Sequence, residues 1–184
     1  MIKLRRILEK DLLSYRRLNH PSRLFHEYNG PYFERESLDD LDKRICQMRL
    51  DFKSGKDVKK QAMMIVDSCD DDLIGEVSYY WKSKETNWME IGVVIFNEAY
   101  WGQAIGYHAL CLWINQVFED FPSLVRLGLT TWSGNERMMK LAEKLGMIQE
   151  ACYRQARIYQ GKYYDSVSYG ILKEEWRDKH DNDN

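Results

Sequence analysis

Glu90 to Leu110 reads EIGVVIFNEAYWGQAIGYHAL. Its first part, to Phe96, is apolar and β-branched, the composition of a buried strand. Asn97 to Trp101 breaks that pattern. Gly102 and Gly106 then open a helix whose broad apolar face is Ile105, Ala109, Leu112, Trp113, Ile114 and Val117. Glycines at such a turn clear side chains from a ligand's path, and the first N–H groups of a helix have no intrahelical partner. The positive end of the helix dipole adds to the attraction for a pyrophosphate. Two glycines also occur in many ordinary strand-to-helix turns, so this segment alone leaves both readings open.

Working outward, the chain before Glu90 predicts a strand over Ile2 to Ile7 and a short amphipathic helix over Glu9 to Asn19. The aromatic-rich stretch from His20 to Ser37 is irregular, punctuated by Pro21, Gly30 and Pro31. Ser37 with Asp40 suits the N-cap of a helix to about Phe52. Strands follow over Gln61 to Asp67, Leu73 to Trp81 and Asn87 to Phe96, the last two joined by the hairpin-length KSKET. After the helix from Gly102 to Asp120 come a strand over Leu124 to Trp132 and a helix from Ser133 or Asn135 to Gly146. Strands over Ile148 to Tyr159 and Tyr163 to Leu172 flank a Gln160–Gly161–Lys162 turn. The order β-α-α-β-β-β-α-β-α-β-β predicts an α/β fold with a mixed sheet. One domain is expected over residues 1–176, with a frayed acidic tail over 177–184.

Composition narrows the chemistry. The 184 residues are 44% apolar, enough for one sizeable core, and the formal charge is −2. That balance offers no basic field for nucleic acid. No apolar run approaches the roughly 18–20 residues of a membrane span, and MIKLRRILEKDLL lacks the core of a secretory signal. Cys46, Cys69, Cys111 and Cys152 are scattered without metal-ligand spacing, and the four histidines show no pairing, so no metal is expected. A reducing, cytoplasmic setting follows from this cysteine usage.

A second segment, SGNERMMKLAEKLGMIQE from Ser133 to Glu150, places Asn135, Lys144 and Gly146 directly after a strand. Together the two segments resemble the cofactor motifs of the GNAT N-acetyltransferases. Trp101 to Gly106 matches the family's R/Q-x-x-G-x-G/A turn, and Asn135 to Met147 its N-x-x-S/A…K-x-G-F pattern. The likeness extends over nearly the whole chain and is closest to the ribosomal-protein N-terminal and spermidine acetyltransferase branch. It implies the GNAT fold: a mixed, mostly antiparallel sheet with flanking helices. It also implies acetyl-CoA as cosubstrate, held by Val94, Ile95 and Phe96 of the strand, by Trp101, Gly102, Gln103, Ala104, Ile105, Gly106 and Tyr107 of the turn, and by Asn135. For the strand residues the contact is expected through backbone N–H and C=O groups left free where the strand splays from its neighbour. Ala104 stands where the motif usually has glycine, with helical dihedrals expected. Ala142 replaces the tyrosine that protonates the leaving thiolate in many relatives.

Transfer to an amine requires a proton acceptor, because a lysine-like ammonium has a pKa of about 10.4. Glu90 is the first candidate and Glu98 its rival; a solvated charge at a hairpin end is the competing reading of Glu90. Asn135 also suits a plain helix cap. Phe25, Tyr28, Tyr32 and Phe33 suit either an aromatic wall for the acceptor or hydrophobic anchors of a long loop. The expected partners are acetyl-CoA, an amine acceptor (a protein N-terminus, a polyamine or another small amine) and a second copy of the chain in a homodimer. Nucleic acid and membrane are not among them. A binding module that senses acetyl-CoA without turnover is the alternative, favoured by Ala142; Glu90 favours the enzyme.

Overall fold

Strand alternation and helix caps account for most of the architecture in the computed structural model, which describes residues 1–181. Seven strands form one sheet in the order β1-β2-β3-β4-β5-β7-β6. They are β1 Ile2–Arg5, β2 Ala62–Asp67, β3 Leu73–Ser83, β4 Trp88–Ile95, β5 Arg126–Trp132, β6 Ile148–Tyr159 and β7 Lys162–Leu172. The helices are α1 Leu12–Leu18, α2 Leu38–Lys53, α3 Ile105–Asp120, α4 Glu136–Leu145 and α5 Lys173–Asp181. β1 with β2, β2 with β3, β5 with β7 and β6 with β7 are antiparallel, whereas β4 and β5 run parallel. The expected element order through β7 and the mostly antiparallel α/β sheet are thus observed.

The chain divides into two compact units. The first comprises Met1–Ser78 and Val93–Ala109; the second comprises Tyr79–Gly92 and the chain from Leu110 onward. In the first unit, Ser37 caps α2 as expected, its Oγ accepting the Asp40 N–H at 3.1 Å. α2 buries Leu41, Ile45 and Met48 at helical spacing. Phe96 sits edge-on to Tyr15 at 5.7 Å and tilted against Phe25 at 5.4 Å. The irregular stretch is therefore anchored by Phe25, which is buried, while Phe33 is exposed. Beneath α1, the Tyr15 hydroxyl meets Lys59 Nζ at 2.6 Å and Glu76 at 3.2 Å, and burial pushes this phenol's pKa up.

In the second unit, Trp113, Ile114 and Val117 of α3 are buried, as are Leu127 and Leu129 of β5 and Tyr169 and Ile171 of β7. Gly146 ends α4 in the left-handed conformation at φ 88°, where glycine carries no Cβ penalty. The tail expected to fray after Trp176 is corrected: α5 continues to Asp181, and residues 182–184 lie outside the described chain. Trp176 explains the helix, since it is buried and its Nε1 donates to Asn115 at 2.7 Å. Among the described residues, no helix is long and apolar enough to cross a membrane.

Candidate active site

The turn that follows β4 is built by unusual backbone angles. Asn97 caps a short 3-10 turn over Glu98–Tyr100, its side chain accepting the Ala99 N–H at 3.1 Å. Gly102 then takes φ 77° and Ala104 φ 59°. α3 begins only at Ile105, so the helical start at Gly102 and the helical Ala104 expected from the sequence are both corrected. A left-handed residue other than glycine costs about 1–2 kcal/mol, which is why glycine suits this position. Ala104 accepts the His108 N–H at 3.1 Å through its carbonyl and so closes the first helical turn. Its side chain has no oxygen with which to cap. The N–H groups of Ile105 and Gly106 consequently have neither an intrahelical partner nor a side-chain cap from Ala104. Tyr107, in the same turn, stands edge-on to the His108 ring at 5.6 Å. α4 opens differently, with the Asn135 side chain accepting the Met138 N–H at 3.2 Å. Asn135 is therefore a helix cap.

A Cβ added at Gly102 would meet nothing within 4 Å. The loop is open on that side, as a phosphate-bearing ligand requires. Trp101 is turned the other way. Its ring packs against the first unit's core, its Nε1 donates to the Ile95 carbonyl at 3.0 Å, and Tyr28 stands edge-on to it at 5.5 Å. Gln103 bonds back to the Ala99 carbonyl at 2.7 Å. Both side chains brace the turn.

The three strand residues do not behave alike. The Phe96 N–H donates to the Ile74 carbonyl at 3.0 Å, and the Phe96 carbonyl accepts from Arg23 at 3.4 Å. The expectation that Phe96 offers free backbone groups is corrected, because β3 and the Arg23 loop already use them. Backbone alternation puts the groups of Val94 on the same β3-facing edge and turns those of Ile95 to the opposite one, where the Ile95 carbonyl already accepts from Trp101 Nε1 at 3.0 Å.

Glu98 is corrected in the same way. Its carboxylate accepts from Arg23 Nη2 at 2.6 Å and from the Leu24 N–H at 3.0 Å, clamping the irregular segment. Both of its oxygens thus serve to hold Arg23 and Leu24 in place.

Glu90, at the start of β4, is only 3% exposed, which removes the solvated hairpin-end reading. It pairs with Gly128 of β5 in the parallel register, and a Cβ on Gly128 would lie 3.1 Å from Glu90 Cγ. The missing side chain at Gly128 gives the carboxylate its room. Oε2 accepts the Tyr80 hydroxyl, Oε1 accepts Thr130 Oγ1 at 3.0 Å, and Lys82 Nζ stands 3.8 Å away. Thr130 has one proton, and spending it on Glu90 makes Ser168 Oγ, 2.9 Å off, the donor to Thr130. Burying an ionised carboxylate costs several kcal/mol, which these charge-assisted bonds and the lysine offset.

Tyr80, Lys82, Thr130 and Ser168 escaped the sequence reading. Alternation along β3 puts Tyr80 and Lys82 on one face, but the register that brings them to Glu90 is a tertiary fact. Ala142, where many relatives carry a tyrosine, is fully buried in α4 and provides no acid. At Cys152, partial desolvation and the Asp165 carboxylate hold the thiol above its ordinary pKa, which disfavours that thiol as a nucleophile.

The parallel pair of β4 and β5 within a mostly antiparallel sheet defines an α/β protein with a mixed sheet. The Acetyltransferase (GNAT) domain family matches residues 2–148, and the chain belongs to that family. This bears out the resemblance read from the two motifs. A Bacillus subtilis (strain 168) protein named as a putative ribosomal N-acetyltransferase, YdaF, is 30% identical over 107 residues, covering 58% of this chain and 57% of that protein. The chain thus aligns with little more than half of that relative's length. Among solved structures, the spermidine N-acetyltransferase from Vibrio cholerae in complex with CoA and spermine superposes with a TM-score of 0.74. Its identity is 21%, over 95% of this chain and 97% of that one. A GNAT-family acetyltransferase from Bacillus anthracis gives 0.73 at 19% identity, over 95% and 96%. At these identities the structural likeness speaks for the fold.

Proposed function

We propose that this protein transfers the acetyl group of acetyl-CoA directly to a primary amine, with Glu90 as general base. The observation that carries the reading is the start of α3. The N–H donors of Ile105 and Gly106 follow a left-handed Ala104 that cannot cap them. Oriented donors at a helix amino end suit the pyrophosphate of CoA. The edge of β4 at Ile95, whose N–H alternation turns away from β3, suits the amide-bearing arm of the same molecule, and the complex of the Vibrio cholerae relative with CoA is consistent with that cosubstrate.

The chemistry follows from Glu90's surroundings. An ammonium acceptor must first lose a proton, and Glu90 accepts it, with the Tyr80 hydroxyl as a relay to the half-exposed side of the strand. The amine lone pair then forms the C–N bond while the C–S bond breaks; the nitrogen sheds its surplus proton to solvent, the thiolate takes one from solvent, and Glu90 releases its own through Tyr80. The Ser168–Thr130–Glu90 chain and Lys82 keep the carboxylate oriented between turnovers. Acceptors at a protein N-terminus or on a small amine both fit this scheme.

Calorimetric titration with CoA tests the cosubstrate. A β-branched side chain at Gly106 obstructs close approach to the helix start, so Gly106→Val is expected to weaken binding by more than about tenfold, or 1.4 kcal/mol. Unchanged affinity in a folded variant overturns the placement.

A further inference from the structure

Beside Glu90, one face of the second unit's sheet carries a cation pair that the acetyl-transfer scheme does not use in full. Trp88 of β4 is 45% exposed, with Lys82 Nζ 5.8 Å and Arg126 Cζ 5.9 Å from its ring. Arg126 lies two residues before Gly128 on β5, hence on the face that holds Glu90. Two residues along a strand span roughly 7 Å. Lys82 is committed to Glu90 at 3.8 Å. Arg126 is matched by Glu150 of β6, whose side chain is 43% exposed. Glu150 reaches across β7 because Gly170 has no Cβ there; an added one would collide with its carboxylate. An ion pair this exposed contributes little net stability, so the Glu150 carboxylate is readily exchanged for another. With Glu150 turned away, Lys82 and Arg126 outnumber Glu90 by one charge, which favours an anion and disfavours a polycation.

We infer that Arg126 selects amine acceptors that carry a carboxylate a few bonds from the amine, with Glu150 as an internal stand-in for that carboxylate. The inference rests on the acetyltransferase reading above. An acidic residue at a peptide N-terminus and a free ω-amino acid share the required chemistry: the amine lies toward Glu90 and the carboxylate takes Glu150's place on the guanidinium. Trp88 supplies the apolar floor between the two. A polyamine would bring positive charge against Lys82 and Arg126.

The test compares kcat/KM for short peptides beginning with Glu and with Gln, together with 4-aminobutyrate, butylamine and spermidine. The wild-type protein is expected to prefer Glu over Gln, and 4-aminobutyrate over butylamine, by about tenfold or more, a difference read mainly in KM. Salt should erode the preference. Arg126→Gln is expected to bring both ratios close to one, and Glu150→Gln to lower KM for the acidic acceptors. The larger response in one pair identifies the source as peptide or free amino acid. Equal use of acidic and neutral acceptors, or a preference for spermidine, overturns the inference while leaving acetyl transfer intact. Absence of transfer to every amine overturns the acetyltransferase reading itself. Should Arg126→Gln fail to fold, the wild-type ratios and Glu150→Gln still decide.

Discussion

Glu90→Gln isolates the proton-accepting role from the packing role. The amide has nearly the carboxylate's shape, so it still fits over Gly128, where even a single added Cβ would stand only 3.1 Å from Glu90 Cγ. One hydroxyl, from Tyr80, can still donate to the amide oxygen. Thr130 can turn its proton toward Ser168, 2.9 Å away, and accept from the new amide N–H. The network therefore survives with two charge-assisted bonds exchanged for neutral ones and Lys82 left without its carboxylate, a loss of about 2–3 kcal/mol in stability. Turnover should fall far more. General base catalysis contributes about 10²–10⁴-fold, or about 2.7–5.4 kcal/mol of barrier. Steady-state rates, a thermal melt and a CoA titration on the same preparation separate these effects. CoA affinity should be nearly unchanged. Residual activity should climb with pH toward the acceptor's own pKa, about 10.4 for a lysine-like amine, since only the neutral amine then reacts. A folded variant within about threefold of wild-type kcat/KM refutes the assignment.

Three further outcomes follow. Ala104→Gly relieves a left-handed alanine worth about 1–2 kcal/mol but adds unfolded-chain entropy of about 0.4–1 kcal/mol, so melts should show a small net stabilisation; Ala104→Val should destabilise and weaken CoA binding. Glu98→Gln loosens the Arg23–Leu24 clamp and should lower the melting temperature while reducing turnover much less than Glu90→Gln, in parallel assays. Asp71 meets Arg5 at 3.0 Å, Lys10 at 2.8 Å and Lys3 at 3.1 Å, and the Arg5 guanidinium chiefly holds its carboxyl well below the usual carboxylate range. A depressed folded-state pKa contributes stability above the unfolded value, about 3.9, that is lost as pH falls through the folded one. The melting-temperature gap between wild type and Asp71→Asn should therefore be widest near neutrality and begin to narrow only below about pH 4, as pH falls toward the depressed folded-state pKa.

Much of the fold was legible because local signals agreed with tertiary need. Ser37 and Asn135 cap the helices they were expected to cap, and Ile148–Tyr159 is a strand over the limits read from the sequence. α5 was missed because its polar sequence has one decisive apolar residue, Trp176, whose burial depends on Asn115 far along the chain. The candidate site was half legible. A motif marks the turn and Glu90, yet motif letters do not carry backbone angles, and Ala104 was misread as helical for that reason. Glu98 rivals Glu90 in the sequence because nothing local shows that Arg23, 75 residues away, sits on its carboxylate. Tyr80, Thr130 and Ser168 come from three different strands, and only register brings them together.

The central claim is acetyl transfer to an amine, and amine-dependent release of CoA thiol tests it most directly. Wild-type protein and acetyl-CoA are mixed with N-terminal peptides, polyamines and aminoglycosides, and the products are weighed by mass spectrometry. The account predicts thiol release that requires an amine, with one acetyl group gained by the acceptor and none retained on cysteine. Tight CoA binding with no amine raising thiol release above background would contradict it, leaving a protein that senses acetyl-CoA without consuming it.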